Sequence, residues 1–221
     1  MNYMRKLHII WDLDGTLIDS ENEVLEALVK SVRQAGLSEQ DQKAPFRVGP
    51  TIDKILDAAF SSDILTSNKK NEIIKKFRNN YDNCGFNNTF AFAGIEEILK
   101  DSHFIHHIVT NKPDLATSRI LEKLGWKNYF ASVVTPYSYM KSPEDKRKTK
   151  TELFALCMAD YPSGAFIGVG DMETDAHAAI ENKIPTIGVL WGTGTRDELE
   201  NCGCEYIIES TNELKSLLGT L

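Results

Sequence analysis

The sequence predicts an α/β protein, with a mainly parallel sheet covered by helices on both faces and a small all-helical domain inserted after the first strand. Short runs rich in Ile, Val and aromatic residues alternate with stretches whose apolar residues recur at three- and four-residue spacing. From about residue 20 to residue 88 only the helical spacing occurs. A chain of 221 residues can bury one sizeable core and has room for one smaller module beside it.

The predicted strands are short apolar runs, as expected for strands that are buried on both faces of a sheet. In chain order they cover residues 7–11, 104–109, 131–134, 165–169, 186–190 and 206–208. Helical spacing separates most of them, at residues 94–100, 115–124, 152–159, 175–181 and 212–218. A helix between successive strands predicts that these strands run parallel.

The inserted segment shows helical spacing at residues 24–32, 52–60 and 73–81. Ser20, followed three residues later by Glu23, predicts a capping box at the start of its first helix. Gly36, Pro45 and the pair Gly49-Pro50 predict turns between its helices. We therefore expect a core formed by residues 1–18 and 90–221, and a helical domain formed by residues 19–89.

Composition and charge exclude several classes of partner. Lys and Arg total 25 against 32 for Asp and Glu, and the net charge of −7 argues against nucleic acid or an anionic membrane as the main partner. The apolar runs are far shorter than the roughly 20 residues of a membrane-spanning helix. Asp12 and Asp14 interrupt the first run, so no secretory signal is predicted. The four cysteines are too few and scattered for a disulfide scaffold. We expect a cytoplasmic protein; the sequence indicates no oligomeric state.

Two acidic residues follow the first predicted strand directly, within the motif Asp12-Leu13-Asp14-Gly15-Thr16. In open α/β sheets, ligands bind just beyond the carboxyl ends of the strands. Two carboxylates at this spacing can divide the work of phosphoryl transfer. The first attacks phosphorus, and the second protonates the leaving oxygen and later deprotonates water. The alternative is a polar turn with a helix cap.

Further acids follow the predicted strand at 165–169, where Gly170 is succeeded by Asp171 and then Asp175. Clustered carboxylates repel a phosphate dianion, so the arrangement needs a hard cation with oxygen ligands, most naturally Mg²⁺. The alternative is that these acids only stabilise the start of a helix.

Candidate phosphate-binding residues follow the strand at 104–109. The Thr110 hydroxyl, the Asn111 amide and main-chain N–H groups before a helix can hold phosphoryl oxygens. A cation is also needed beside the nucleophile. The basic stretch at 141–150 offers Lys141, Lys146, Arg147, Lys148 and Lys150. Most of them are expected to be solvated surface charges.

In their order, these motifs resemble those of the haloacid dehalogenase superfamily, and within it the phosphoglycolate-phosphatase-like group, which carries a helical cap after the first motif. The resemblance covers essentially the whole predicted core. It implies a Rossmann-like core in which Asp12 forms an aspartyl-phosphate and Asp14 acts as acid and base. It also implies Mg²⁺ held by Asp12, the Asp14 main-chain carbonyl and Asp171, with Asp175 in support.

The resemblance further implies that Thr110 and a lysine bind the phosphoryl group, and we count Gly15 and Asn111 among the phosphate-binding residues. Lys150 is our choice of lysine because the sequence Lys150-Thr-Glu-Leu-Phe matches the family's lysine ahead of an apolar helix; Lys148 is the competitor. The segment 46–51 resembles the family's substrate-specificity loop. There Arg47 is either a clamp for a substrate anion or a surface charge beside a turn.

The resemblance implies a Mg²⁺-dependent phosphatase that acts on a small phosphorylated metabolite, with phosphoglycolate as the first candidate. Pyrophosphate, a nucleoside monophosphate or a sugar phosphate are alternatives, as is a phosphosugar mutase of the β-phosphoglucomutase type. Asp14 favours phosphoester chemistry, since dehalogenases lack the second acid. A non-enzymatic alternative is a receiver-like signalling module, which needs neither an acid like Asp14 nor a helical insertion.

Overall fold

The computed structural model of the chain describes residues 6–138 and 147–221. The chain forms two compact units: Met1–Asp19 together with Ala91–Leu221, and Ser20–Phe90. The boundaries predicted from the sequence lie one residue earlier in each case. That the smaller unit serves as a cap stays a prediction.

The strands of the described part, in chain order, are β1 (Leu7–Trp11), β2 (Ile18–Asp19), β3 (Phe90–Ala91), β4 (Phe104–Val109), β5 (Phe130–Val134), β6 (Ala165–Gly170), β7 (Thr186–Val189) and β8 (Tyr206–Ile208). Six of them form one parallel sheet in the order β5-β4-β1-β6-β7-β8, and the short β2 and β3 pair separately. The predicted fold class, an α/β fold built on a parallel sheet, is confirmed.

The helices of the described part, in chain order, are α1 (Glu21–Gln34), α2 (Ile52–Ala59), α3 (Ser67–Asp82), α4 (Ile95–Leu99), α5 (Asp114–Lys123), α6 (Lys150–Ala159), α7 (Glu173–Glu181), α8 (Arg196–Asn201) and α9 (Thr211–Leu218). None of them is long and apolar enough to cross a membrane. The sequence analysis did not predict α8 or the two short strands. With only six residues and one buried apolar side chain, Leu199, α8 gives no clear helical pattern.

The central strand β1 determines where the loop that follows it lies. It lies between β4 and β6, with Leu7 in register with Phe104 on one side and with Ala165 on the other. Successive strand residues point to opposite faces, and Ile9 and Ile10 are both fully buried, so both faces of the sheet are covered there. The chain continues outward from β1 first through β4 and then through β6. The carboxyl end of β1 is therefore the switch point at which open α/β sheets bind ligands.

The smaller unit is held together mainly by α1 and α3, which pack against each other. Leu28 of α1 and Ile73 of α3 are completely buried. Phe77 and Tyr81 stack with ring centroids 5.2 Å apart, and Lys69 Nζ donates to the main-chain oxygen of Ala35 at the end of α1 (2.8 Å). An apolar seam together with a capped helix end explains why this helical stretch forms a compact unit of its own.

The capping box predicted for Ser20 and Glu23 is wrong. Ser20 occupies the N-cap position of α1, but its side chain makes no capping hydrogen bond. The buried carboxylate of Glu23 instead accepts a hydrogen bond of 2.6 Å from the main-chain N–H of Asn88. A partner 65 residues away thus replaces the local motif, because the partly buried main-chain N–H of Asn88 also needs a hydrogen-bond acceptor.

Buried histidines link the strands on the two faces of the sheet. His8 Nδ1 lies 2.9 Å from His107 Nε2, and His107 Nδ1 lies 2.8 Å from Ser132 Oγ. On the opposite face, Trp11 Nε1 donates to His106 Nδ1 at 3.0 Å. Burial lowers the pKa of both His106 and His107 to about 4, because the imidazolium form is poorly solvated there.

Candidate active site

Three neighbouring parallel strands bring three of the predicted site residues to one edge of the sheet. Asp12 directly follows β1, and its main-chain N–H donates to Val169 in β6 (2.9 Å). Thr110 directly follows β4, and its N–H donates to Val134 in β5 (3.1 Å). Asp171 directly follows β6. Because the strands are parallel and in register, these residues meet at the switch point beside β1.

The loop after β1 folds tightly back on itself through main-chain hydrogen bonds, including Gly15 N–H to the oxygen of Ile18 at 2.8 Å. Gly15 has a φ of +79°, and a Cβ at this position would lie 2.3 Å from Asp171 Oδ2. Only glycine satisfies both the backbone conformation and this close approach. The geometry shows Gly15 packed against an acidic residue of the site; its role in phosphate binding stays a prediction.

The carboxylates of Asp12, Asp171 and Asp175 form a buried cluster in which one oxygen from each lies within 4.8 Å of the others. Burial raises the pKa of Asp12 to about 7, with the charges of Asp175 and Asp14 acting in the same direction and Lys150 opposing them. Burial, followed by the charge of Asp12, raises the pKa of Asp171 to about 6, and burial also raises that of Asp175. The ionised form of each acid is thus disfavoured first by burial and then by the neighbouring carboxylates.

Of the lysines that the structure describes, Lys150 contacts this cluster. Its Nζ lies 2.7 Å from Asp12 Oδ1 and also forms an ion pair with Asp175. Burial disfavours the ammonium form, but the two carboxylates outweigh this effect and raise the pKa of Lys150. Lys150 is the first residue of α6, whose start is fixed by a capping box between Thr149 and Glu152.

The cluster fits a divalent cation. Three buried carboxylates face one ammonium group, so a doubly charged ion would balance the excess negative charge. All the donors offered by Asp12, Asp171 and Asp175 are oxygens, which are the ligands of hard cations such as Mg²⁺. Their oxygens are already gathered in one place, so binding would need little rearrangement.

The carboxylate of Asp171 is fixed by two hydroxyl side chains. Thr16 Oγ1 donates to Oδ1 at 3.2 Å, while the main-chain N–H and Oγ1 of Thr193 donate to Oδ2 at 2.8 and 3.1 Å. The loop that carries Thr193 is itself joined to the motif loop, because Trp191 Nε1 donates to the main-chain oxygen of Thr16 at 3.0 Å. The sequence analysis did not identify Thr193, since a threonine in a glycine-containing loop after β7 carries no signal of its partner.

Asp14 lies outside the buried cluster and has a lysine of its own. Lys112 Nζ lies 2.6 Å from Asp14 Oδ1; the lysine side chain is 4% exposed and the aspartate side chain 27%. The main-chain N–H of Lys112 donates to Thr110 Oγ1 at 3.1 Å. The sequence analysis gave Lys112 no role. Its position directly after the candidate residues Thr110 and Asn111 was the available signal.

The remaining candidates are placed as follows. Arg147 Nη2 donates to the main-chain oxygen of Asn111 at 3.0 Å. Lys148 is half-buried and acts electrostatically on Glu152. Lys141 and Lys146 lie outside the described residues. Arg47 is exposed in the smaller unit, ahead of α2, and its role stays a prediction.

Comparison with known proteins gives a family match and several similar proteins. Residues 9–189 match the model of the haloacid dehalogenase-like hydrolase family. The chain is 24% identical to phosphoglycolate phosphatase from Colwellia psychrerythraea, covering 97% of each chain. It is 29% identical to phosphoglycolate phosphatase from Aquifex aeolicus, over 83% of this chain and 84% of that one. The crystal structure of a predicted phosphatase from Clostridium acetobutylicum superposes with a TM-score of 0.81 at 26% identity, covering 99% and 100% of the two chains.

Proposed function

We propose a reaction and a substrate class for this chain, which belongs to the haloacid dehalogenase-like hydrolase family and is a phosphatase. The proposed reaction is the Mg²⁺-dependent hydrolysis of a small phosphomonoester. One observation carries it: Asp12 and Asp14, two residues apart, have different surroundings. Asp12 is buried among carboxylates beside Lys150, whereas Asp14 is partly exposed and pairs with Lys112. Two carboxyl groups in unlike environments can take different roles in one reaction.

In the first step, a carboxylate oxygen of Asp12 attacks phosphorus and forms an aspartyl-phosphate. The bond between phosphorus and the ester oxygen breaks, and that oxygen takes a proton from the carboxylic acid form of Asp14. An alcohol leaves. Lys150 stays beside Asp12 and binds phosphoryl oxygens together with the Thr110 hydroxyl, which holds the phosphorus atom in line with the nucleophile.

In the second step, a water molecule attacks the phosphorus of the aspartyl-phosphate and gives a proton to the Asp14 carboxylate. The bond between phosphorus and the Asp12 oxygen breaks. Inorganic phosphate is released, Asp12 returns to its carboxylate form, and Asp14 is again an acid ready for the next ester. Over both steps, one phosphomonoester and one water yield one alcohol and one phosphate.

The residues that would hold Mg²⁺ are Asp12, Asp171, Asp175 and the main-chain carbonyl of Asp14. When bound, Mg²⁺ would offset the repulsion between the phosphoryl dianion and these acids and stabilise the charge that develops on the transferred group. Thr16 and Thr193 keep the Asp171 carboxylate in place for that purpose.

Phosphoglycolate is the substrate we propose first, because the relatives described above carry that name. We further propose that the helical unit acts as a cap that selects the substrate, with Arg47 binding its second anionic group. For phosphoglycolate this group is a carboxylate, to which an arginine can donate two parallel hydrogen bonds. We expect the enzyme to work in the cytoplasm on free metabolites, with neither nucleic acid nor membrane as a partner.

The test is phosphate release from a panel of phosphoglycolate, pyrophosphate, nucleoside monophosphates and sugar phosphates, with Mg²⁺ or with chelator. Asp12→Asn keeps the size of the side chain but removes the nucleophilic charge, so we expect turnover to fall by about 10³-fold or more. Asp197→Asn, an exposed acid of α8, is the matched control and should keep wild-type turnover.

Two results would contradict the proposal. Folded wild-type protein that releases no phosphate from any compound in the presence of Mg²⁺ would exclude a general phosphatase. Isomerisation of a glucose phosphate without phosphate release, dependent on a sugar bisphosphate, would replace hydrolysis by the mutase reaction.

A further inference from the structure

We propose that Lys112 is a positioning residue that acts through Asp14: its ammonium group holds the Asp14 carboxyl group in one orientation for proton transfer with the substrate oxygen. The inference rests on the proposed function, in which Asp14 is the acid and base. It gives a role to the lysine after Thr110-Asn111, which the two-step reaction itself leaves unused.

The contact between the two side chains is short and well enclosed. Lys112 Nζ and Asp14 Oδ1 are 2.6 Å apart, and the lysine side chain is only 4% exposed. An exposed ion pair of this kind would exchange readily with water and contribute little. A buried ammonium group is shielded from water and exchanges partners less readily. The pair therefore restricts the side-chain torsions of Asp14.

The main chain on both sides of Lys112 is restrained. The main-chain N–H of Lys112 donates to Thr110 Oγ1 at 3.1 Å, which closes a tight turn after β4. Pro113 follows with φ −64° and precedes the first residue of α5, Asp114. Because proline fixes φ near this value, the backbone is restrained on both sides of Lys112. The side chain of Lys112 thus extends to Asp14 from a restrained main-chain position, as a positioning residue requires.

The two buried lysines of the site serve different carboxylates. Lys150 contacts Asp12 and Asp175, which belong to the cluster that receives the phosphoryl group and the cation. Lys112 contacts Asp14, which exchanges protons with the leaving oxygen and with water. Loss of Lys112 should therefore impair proton delivery to the leaving group and leave the attack of Asp12 on phosphorus largely intact.

This division predicts an effect that depends on the leaving group. An alkoxide leaves only when it is protonated, whereas p-nitrophenolate leaves without a proton. Misplacing a catalytic group by about 1 Å costs on the order of 100-fold in rate. For Lys112→Met we therefore expect kcat/KM to fall about 10–100-fold for an alkyl phosphate and less than about 3-fold for p-nitrophenyl phosphate.

The experiment measures kcat/KM, which reports only the transfer to Asp12 and not the later hydrolysis that is common to both substrates. Wild type, Lys112→Met, Asp14→Asn and the double variant are compared at saturating Mg²⁺ with β-glycerophosphate and p-nitrophenyl phosphate. If Lys112 acts through Asp14, the double variant should resemble Asp14→Asn alone. Lys123→Met, an exposed lysine of α5, is the matched control and should behave as wild type.

Equal losses with both substrates, or a further loss when Lys112→Met is added to Asp14→Asn, would overturn the inference. If Lys112→Met does not fold, Lys112→Arg takes its place, since arginine keeps the charge but presents its donors differently. It should show the same dependence on the leaving group, and its absence would again overturn the inference. If wild type hydrolyses neither compound nor any other phosphomonoester, it is the proposed function that fails.

Discussion

At the scale of single residues, the site depends on hydrogen bonds that orient its carboxylates. Asp171 illustrates this, because Oδ1 accepts a hydrogen bond from Thr16 and Oδ2 accepts two from Thr193, one from its main-chain N–H and one from its hydroxyl. Groups that hold a metal-binding carboxylate in place affect metal affinity without touching the ion. The two threonines are therefore as much a part of the candidate Mg²⁺ site as the acids themselves.

Thr193→Val tests this directly. The substitution keeps the shape of the side chain and the main-chain N–H donor but removes the hydroxyl that donates to Asp171 Oδ2. We expect Mg²⁺ affinity, measured by isothermal titration calorimetry, to fall by about 10-fold. Thr195→Val is the matched control: it removes the N-cap of α8, which should cost about 1 kcal/mol in the free energy of unfolding, but it should leave Mg²⁺ affinity unchanged. Equal affinity in both variants would show that the Thr193 hydroxyl does not support the metal site.

At the scale of secondary-structure elements, β1, β4 and β5 are joined by side chains as well as by the main chain. Hydrogen bonds connect His8 in β1 to His107 in β4, and His107 to Ser132 in β5. Burial lowers the pKa of both imidazoles, because it disfavours their charged form, and that of His107 falls to about 4. The strands that carry Asp12 and Thr110 are thus held together in part by groups whose protonation burial disfavours.

This predicts how stability depends on pH. The pKa of His106 and of His107 is about 4 in the folded protein, against an ordinary value of 6.5. At these two histidines the unfolded chain therefore binds more protons than the folded protein between pH 4 and 6.5, whereas the raised pKa values of Asp12 and Asp171 act in the opposite direction. The contribution of these two histidines to the free energy of unfolding is fully present above pH 6.5. It is lost as the pH falls towards 4, by about 1–3 kcal/mol for each histidine.

Urea unfolding at a series of pH values measures this loss. His107→Gln should weaken the pH dependence between 6.5 and 4, because one of the depressed groups is gone. The control is His103→Gln, which replaces the exposed histidine beside the same strand. This variant should keep the pH dependence of wild type. An identical pH dependence of the free energy of unfolding in wild type and in His107→Gln would contradict the prediction.

At the scale of the whole molecule, the charge of the chain opposes its proposed substrate. With a net charge of −7, the protein repels a phosphorylated metabolite at a distance, so attraction must come from cations concentrated at the site. Among the described residues, the buried Lys150 beside Asp12 is such a cation. A bound divalent cation would add to it.

Cation binding should therefore be visible in the stability of the whole protein. A cation that binds only the folded state stabilises it by about 2.7 kcal/mol at a concentration 100 times its dissociation constant. We expect Mg²⁺ to raise Tm and a chelator to reverse the increase. Asp171→Asn should abolish the response to Mg²⁺, whereas Asp197→Asn should retain it. A Tm that is independent of Mg²⁺ in wild type would contradict the proposed metal site.

Much of the fold could be predicted from the sequence, because strands and helices leave local periodicities. The runs at 7–11, 104–109 and 206–208 coincide with β1, β4 and β8. A helix such as α6 was found with its start misplaced by two residues, since Lys150 and Thr151 show no apolar spacing. The position of the motif acids also followed from the sequence, because residues directly after parallel strands meet at one edge of the sheet.

The sequence by itself thus determined the α/β class, the helical insertion and the meeting of Asp12 and Asp171 at the ends of neighbouring strands. Only the tertiary structure decided which side chains pair: Lys112 with Asp14, Thr193 with Asp171, and Glu23 with Asn88. The physical reason is the separation of these partners along the sequence. Periodicity reflects contacts within a few residues, whereas these pairs are 98, 22 and 65 residues apart and are chosen by burial and packing.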